Sequence, residues 1–224
     1  MTENEAAATK AYAARLEIDK PQQLDRVSTF FRFFLLIPIG IILALVSGIG
    51  ETVTNTVFLD QAGNVMRESR NTVGGIASGI MLATALMILF RQVYPRWWFD
   101  FMRELTRFET RVSAYAALMT DQYPSTVEEQ VVHLELDYPD AKGGLQRGMP
   151  LVKWFLAIPH YFVLAFLAIG AFFAVIIAWF AILFSGKYPQ SLFDYVQGVM
   201  RWGLRVNAYA FLLITDQYPP FSLN

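Results

Sequence analysis

Arg107 and Arg111 are four residues apart, and so are Arg201 and Arg205. On a helix that spacing puts both guanidinium groups on one face. A planar fork of donors that keeps its charge can bind phosphate or carboxylate bidentately. The two pairs are therefore candidates to hold lipid phosphates or the acidic groups of a partner. The competing reading is internal pairing, with Asp100 and Asp194 as the acids, because solvated pairs of this kind are common. The chain also has two histidines, His133 and His160. His160 lies inside an apolar block, where an ionisable group is a candidate lipid or partner contact. A neutral histidine bonded to a carbonyl or headgroup is the simpler reading, since Ile39 holds the corresponding place in a similar earlier stretch.

Other chemistry finds no residues to carry it. The absence of cysteine removes disulfides, thiolate metal sites and cysteine nucleophiles. No Gly-x-Ser-x-Gly elbow, Walker loop, dinucleotide fingerprint or His-Glu-x-x-His zinc motif occurs. No catalytic, metal or cofactor-binding residue is assigned, and no cofactor is expected. The net charge of −1 provides no global basic field for nucleic acid.

The elements that must position the arginines are unusually apolar. The chain is 55% hydrophobic and 17% charged, against about 25% charged in a soluble domain. Residues 30–49 form one apolar block and 73–93 a second, each near the ~20 residues that cross a bilayer as a helix. Residues 151–184 form a third, which as one helix would be ~51 Å long.

Several motifs occur twice. TDQYP stands at Thr120–Pro124 and at Thr215–Pro219. Arg26–Pro38 (RVSTFFRFFLLIP) resembles Arg147–Pro159 (RGMPLVKWFLAIP), matching Arg32 with Lys153. Arg15–Pro21 (RLEIDKP) resembles His133–Pro139 (HLELDYP), and Arg107, Arg111 and Tyr115 match Arg201, Arg205 and Tyr209. This pattern divides the chain into units 1–124 and 125–224. The first carries an extra polar segment, 51–72. By analogy the third apolar block should fold back at Gly170 as spans 151–168 and 171–186, giving four spans. Every Lys and Arg except Arg67 and Arg70 then falls on one side, so both termini should be cytoplasmic. The N-terminal stretch lacks the basic start and apolar centre of a secretory signal.

Small residues recur every four positions as Gly75, Gly79 and Ala83, and again as Gly170, Ala174 and Ala178. Such a stripe lets helix backbones approach closely. After each Tyr-Pro, residues 96–119 and 189–214 read as amphipathic helices lying at the membrane interface. TDQYP reads as punctuation that ends each one. Residues 128–137 alternate as a strand, with Ala11–Asp19 as its counterpart.

The stretch Tyr188–Leu223 (YPQSLFD…RWGLRVNAYAFLLITDQYPPFSL), together with the IPH of Ile158–His160, resembles the bacterial membrane proteins of domain-of-unknown-function family 4389. The resemblance covers most of the chain, closely in the second unit and divergently in the first. It implies an all-α membrane fold in the bacterial inner membrane and carries over no activity or site residue. The expected architecture is four membrane helices in two tandem hairpins, each followed by an interfacial helix, with a small cytoplasmic β element. The expected role is non-catalytic: organising membrane lipids, or serving as an accessory subunit through another membrane protein or self-association. The alternative is a lipid-handling enzyme or transporter with its site between the units.

Overall fold

The computed structural model describes residues 12–47, 52–59, 65–72 and 76–224, with side chains described for 12–44 and 76–224. Alternating apolar residues form two short strands, β1 (Ala14–Ile18) and β4 (Val132–Leu136), each with one buried face. They pair antiparallel with Leu16 opposite Leu134, Arg15 opposite Glu135 and Glu17 opposite His133. The centre of this ladder is one residue facing its own sequence counterpart. The flanking bonds match as well. Asp19 N donates to Val131 O and Asp137 N to Ala13 O, both at 2.9 Å. Arg15 meets Asp137 at 2.7 Å, and His133 meets Asp19 at 3.0 Å.

The apolar blocks become helices. Helix α1 (Arg26–Ser47) runs through Pro38, and α2 (Ile76–Arg91) follows. Between them, β2 (Thr52–Leu59) and β3 (Val65–Thr72) pair antiparallel, in register from Thr52–Thr72 to Leu59–Val65. The polar insertion thus contains a pair of strands, and its Thr/Val alternation carries that signal.

The third block does not fold back. A short helix, α4 (Met149–Leu156), ends at Ala157, and α5 (Ile158–Ser185) then continues without interruption through Gly170. Pro159 explains the first break, since it has no N–H to donate four residues back. At Gly170 a lone glycine sits in an apolar run of Ala, Ile and Phe, with no second turn residue beside it. Its missing side chain serves a crossing instead. A Cβ there would run into the Tyr195 hydroxyl, which donates to Leu167 O at 2.9 Å. The expected spans 151–168 and 171–186, and with them the four-span count, are replaced by one helix of 28 residues, about 42 Å long. Two stretches, Arg26–Ala44 and Met149–Ser185, are long and apolar enough to cross a membrane, and α2 is a shorter apolar helix.

Helices α3 (Arg96–Ala116) and α6 (Gln190–Ala210) each follow a Tyr-Pro, with the proline at the position that precedes the first turn. They do not stand apart from the apolar helices. Ile39 of α1 packs on Phe108 and Val112 of α3. His160 of α5 meets Trp202 of α6, and Leu167 meets Tyr195. Each amphipathic helix therefore runs antiparallel along an apolar one. Strand β1 lies on α6, and β4 lies on α3. The result is three layers: apolar helices, amphipathic helices, and sheet. Turns in the left-handed region recur at matching places. Gln92 (φ 49°) and Gly186 (φ 71°) end α2 and α5, while Leu118 (φ 63°) and Leu213 (φ 58°) follow α3 and α6.

Candidate functional site

TDQYP does more than end a helix. Lys153, only 1% exposed, donates from Nζ to Thr215 O and pairs with Asp216, both at 2.7 Å. Arg32, 2% exposed, makes the same contacts with Thr120 O and Asp121. Each cation also sits over a tyrosine ring, Arg32 at 4.3 Å from Tyr115 and Lys153 at 5.3 Å from Tyr209. The second carboxylate oxygen accepts from the backbone just before the apolar helix: Asp25 N for Asp121 and Gln146 N for Asp216. One Asp thus ties the end of an amphipathic helix to the start of an apolar one. Arg32 and Lys153, the buried charges of the first and third apolar blocks, are neutralised by this clamp, as burial requires. Reading the repeats as turns finds the motif but misses its partner, because the clamp joins positions 62 or more residues apart.

His160 is fully buried. Its Nδ1 accepts from Trp202 Nε1 at 3.1 Å, and its ring stacks on Phe221 at 4.0 Å. The corresponding Ile39 packs on Phe108, which matches Trp202. His160–Trp202 is a polar version of the same contact, and His160 Nε2 is buried without a partner among the described residues.

The arginine pairs differ from one another. Arg201 donates from Nε to Leu16 O at 3.0 Å and from Nη1 to Leu223 O at 3.3 Å, pinning β1 and the C-terminal segment to α6. Arg205 lies beside Tyr12, whose hydroxyl donates to Arg205 O at 3.2 Å. Burial, then the charge of Arg201, holds the Arg205 guanidinium below the usual arginine value. In α3, Arg107 pairs with Glu104. Arg111 donates from Nη1 to Ser125 O, and its Nε is buried without a partner among the described residues. Burial, then Arg107, lowers Arg111 in the same sense, with Glu104 opposing. The proposed acids do other work: Asp100 meets Arg103 at 3.4 Å, and Asp194 accepts from Gln190 at 2.7 Å.

Arg107 and Arg111 line two adjoining cavities. One, of 380 Å³, is polar and reaches Glu128, Glu129 and the edge of β4. The other, of 210 Å³, is apolar and runs between α1 and α3 past Ile42, Phe101, Leu105 and Phe108.

The small-residue stripe holds on one helix only. Ala174 and Ala178 are buried, with Ile182 one turn on, and Gly170 meets Tyr195. On α2 the buried positions are Thr84 and Ile88. A Cβ at Gly79 would meet nothing, Ala83 is partly covered, and Gly75 lies outside the described residues. Thr84 and Ile88 correspond to Ala178 and Ile182 in the register set by Tyr94 and Tyr188, one residue away from the stripe the sequence suggests. Among the described residues no group of three or more His, Asp or Glu is placed to hold a metal.

No curated protein and no solved structure matches the chain. The segment 149–222, from α4 through α6 to the second TDQYP and the tail, matches the model of a domain of unknown function, DUF4389.

Proposed function

We propose that the chain is a non-catalytic integral protein of the bacterial inner membrane, built from two tandem copies of the DUF4389 unit. It organises lipids, or serves as an accessory subunit for another membrane protein or a second copy of itself. The observation that carries this reading is the uncovered apolar layer. Only 17% of each candidate membrane stretch is buried within the chain, and Phe33, Phe166 and Phe184 are largely exposed. A soluble protein does not leave such a surface in water; hydrocarbon is its natural cover. The matched ladder, clamps and left-handed turns support tandem duplication even where the family model reaches only one unit.

The sheet layer supports both termini on one side, the cytoplasmic one by charge. Lys153 is held by Thr215 and Asp216, and Leu24 N donates to Gly186 O at 2.9 Å. Both ends of the α4–α5 stretch are thus tied to the sheet side. With both ends on one side, an uninterrupted helix of about 42 Å lies along the membrane face instead of crossing it. In the cells that produce it, the protein should stay with membranes after carbonate extraction. Cysteines placed singly at Gln190 and at Tyr138 should label from the same side, opposite to one at Asp60. Release by carbonate would remove the membrane reading, and labelling of Gln190 and Tyr138 from opposite sides would remove the topology.

A further inference from the structure

We propose that Arg107, Arg111 and the Glu128–Glu129 pair form the headgroup site of a phospholipid that carries a primary ammonium, with an acyl chain in the adjoining groove between α1 and α3. The proposal rests on the membrane reading above and adds the lipid class and its seat. The two cavities meet at Arg107, Arg111 and Thr126, which line both. One side of that meeting point is apolar and bordered by α1; the other is polar and bordered by the sheet. That is the order in which a lipid presents its parts, chain toward the membrane and headgroup toward water.

Arg111 supplies the anchor. It is 7% exposed, and its Nε has no partner among the described residues. That nitrogen is covered by the chain, so a phosphate would be held by the charge of Arg111 and Arg107, whose side chains line both cavities. The polar cavity is not purely cationic, however. Glu128 and Glu129 line it too, and neither has an ion-pair partner among the described residues. A singly anionic headgroup would meet these carboxylates unfavourably. A zwitterion places its phosphate on the arginines and its ammonium on the glutamates, and a primary ammonium offers three donors where a quaternary one offers none.

The second unit shows the same place filled by the chain itself. Gly198 corresponds to Glu104, and a Cβ there would lie 2.8 Å from Leu223 Cβ. Leu223 O accepts from Arg201, the counterpart of Arg107. An apolar chain and a carbonyl oxygen thus stand beside Arg201, while Arg205, the counterpart of Arg111, keeps Nε and Nη1 buried without partners among the described residues. In the first unit the sequence after TDQYP turns into β4 instead and leaves the groove between α1 and α3 to an external amphiphile.

The test uses the full chain in mild detergent, mixed with equal amounts of phosphatidylethanolamine, phosphatidylcholine and phosphatidylglycerol of one acyl composition. Bound lipids are counted by native mass spectrometry. Retention of the ethanolamine lipid should exceed that of each of the others by about tenfold, and free phosphoethanolamine should not displace it. Arg111→Gln should lower retention of all three lipids. Glu128→Gln with Glu129→Gln should abolish the preference over phosphatidylcholine and leave choline-lipid binding intact. Equal retention of the three lipids, preference for phosphatidylglycerol, displacement by the free headgroup, or wild-type selectivity in the glutamate variant each overturns the proposal. The exposed glutamate pair decides the matter even if Arg111→Gln fails to fold. A chain that stays in membranes without headgroup preference refutes this site alone; a chain released by carbonate refutes the membrane reading with it.

Discussion

Lys153 and Asp216 stand 2.7 Å apart, in the same relation as Arg32 and Asp121. Each pair joins the first turns of an apolar helix to the TDQYP that follows an amphipathic one. Removing one partner of a buried pair strands the other charge, at a cost of about 3–5 kcal/mol. Asp216→Asn keeps an oxygen for Gln146 N but loses the ion pair, and should destabilise the detergent-solubilised protein by that order. Adding Lys153→Met should recover part of the loss. Thermal unfolding of the single and double variants measures both, and an unchanged midpoint in Asp216→Asn would show that the pair is not structural.

The continuity of α5 can be tested at one contact. Gly170→Ala puts a methyl where the Tyr195 hydroxyl sits and should break its bond to Leu167 O, at about 1 kcal/mol. In a Tyr195→Phe background the same change should cost less, or stabilise through alanine's helix preference. A double-mutant cycle with no coupling would mean the helices do not meet there.

Glu109 lies on α3, and burial raises its carboxyl above the ordinary 4.5. A carboxyl with a raised folded value destabilises the fold once ionised. The burden is absent below the unfolded value of 4.5 and complete above the raised one. Glu109→Gln should therefore raise the melting temperature at pH 7, and the gain should shrink to nothing as pH falls below about 4.5. A gain that persisted or grew in acid would contradict the sign.

The His160–Trp202 contact should respond as a pair. His160→Ile leaves Trp202 Nε1 buried without its acceptor and should cost about 1–3 kcal/mol. His160→Ile with Trp202→Phe installs the pairing found at Ile39 and Phe108 and should cost less than either change alone. Trp202→Phe leaves His160 Nδ1 buried without its donor and should cost about 1–3 kcal/mol beyond lost packing. Lipid retention should be unchanged by His160→Ile. Loss of retention in that variant would return His160 to the list of ligand contacts.

Local patterns are legible where a single period governs them. The alternation of Ala14–Ile18 and Val132–Leu136 marks the paired strands. The polar stripes that follow Pro95 and Pro189 mark α3 and α6. The course of α5 is not legible, because a glycine that permits a close crossing and one that permits a turn look alike in sequence. Only the position of Tyr195 separates the two. The clamp is hidden for a similar reason: an Asp beside a turn sequence suggests a local role, while its cation lies in another segment. The empty side of the α2 stripe shows how a one-residue shift in register moves small residues off the packed face.

The exchange of strands has a consequence for how the chain must be assembled. Strand β1 of the first half rests on α6 of the second, and β4 of the second half rests on α3 of the first. Neither half holds the strand that covers its own amphipathic helix. A cut between Pro124 and Ser125 should yield two fragments that are each insoluble alone and that regain the fold only when made together. Recovery of the fold on coexpression would show the backbone link to be dispensable, and a fragment that folds alone would show that the strand exchange is not required.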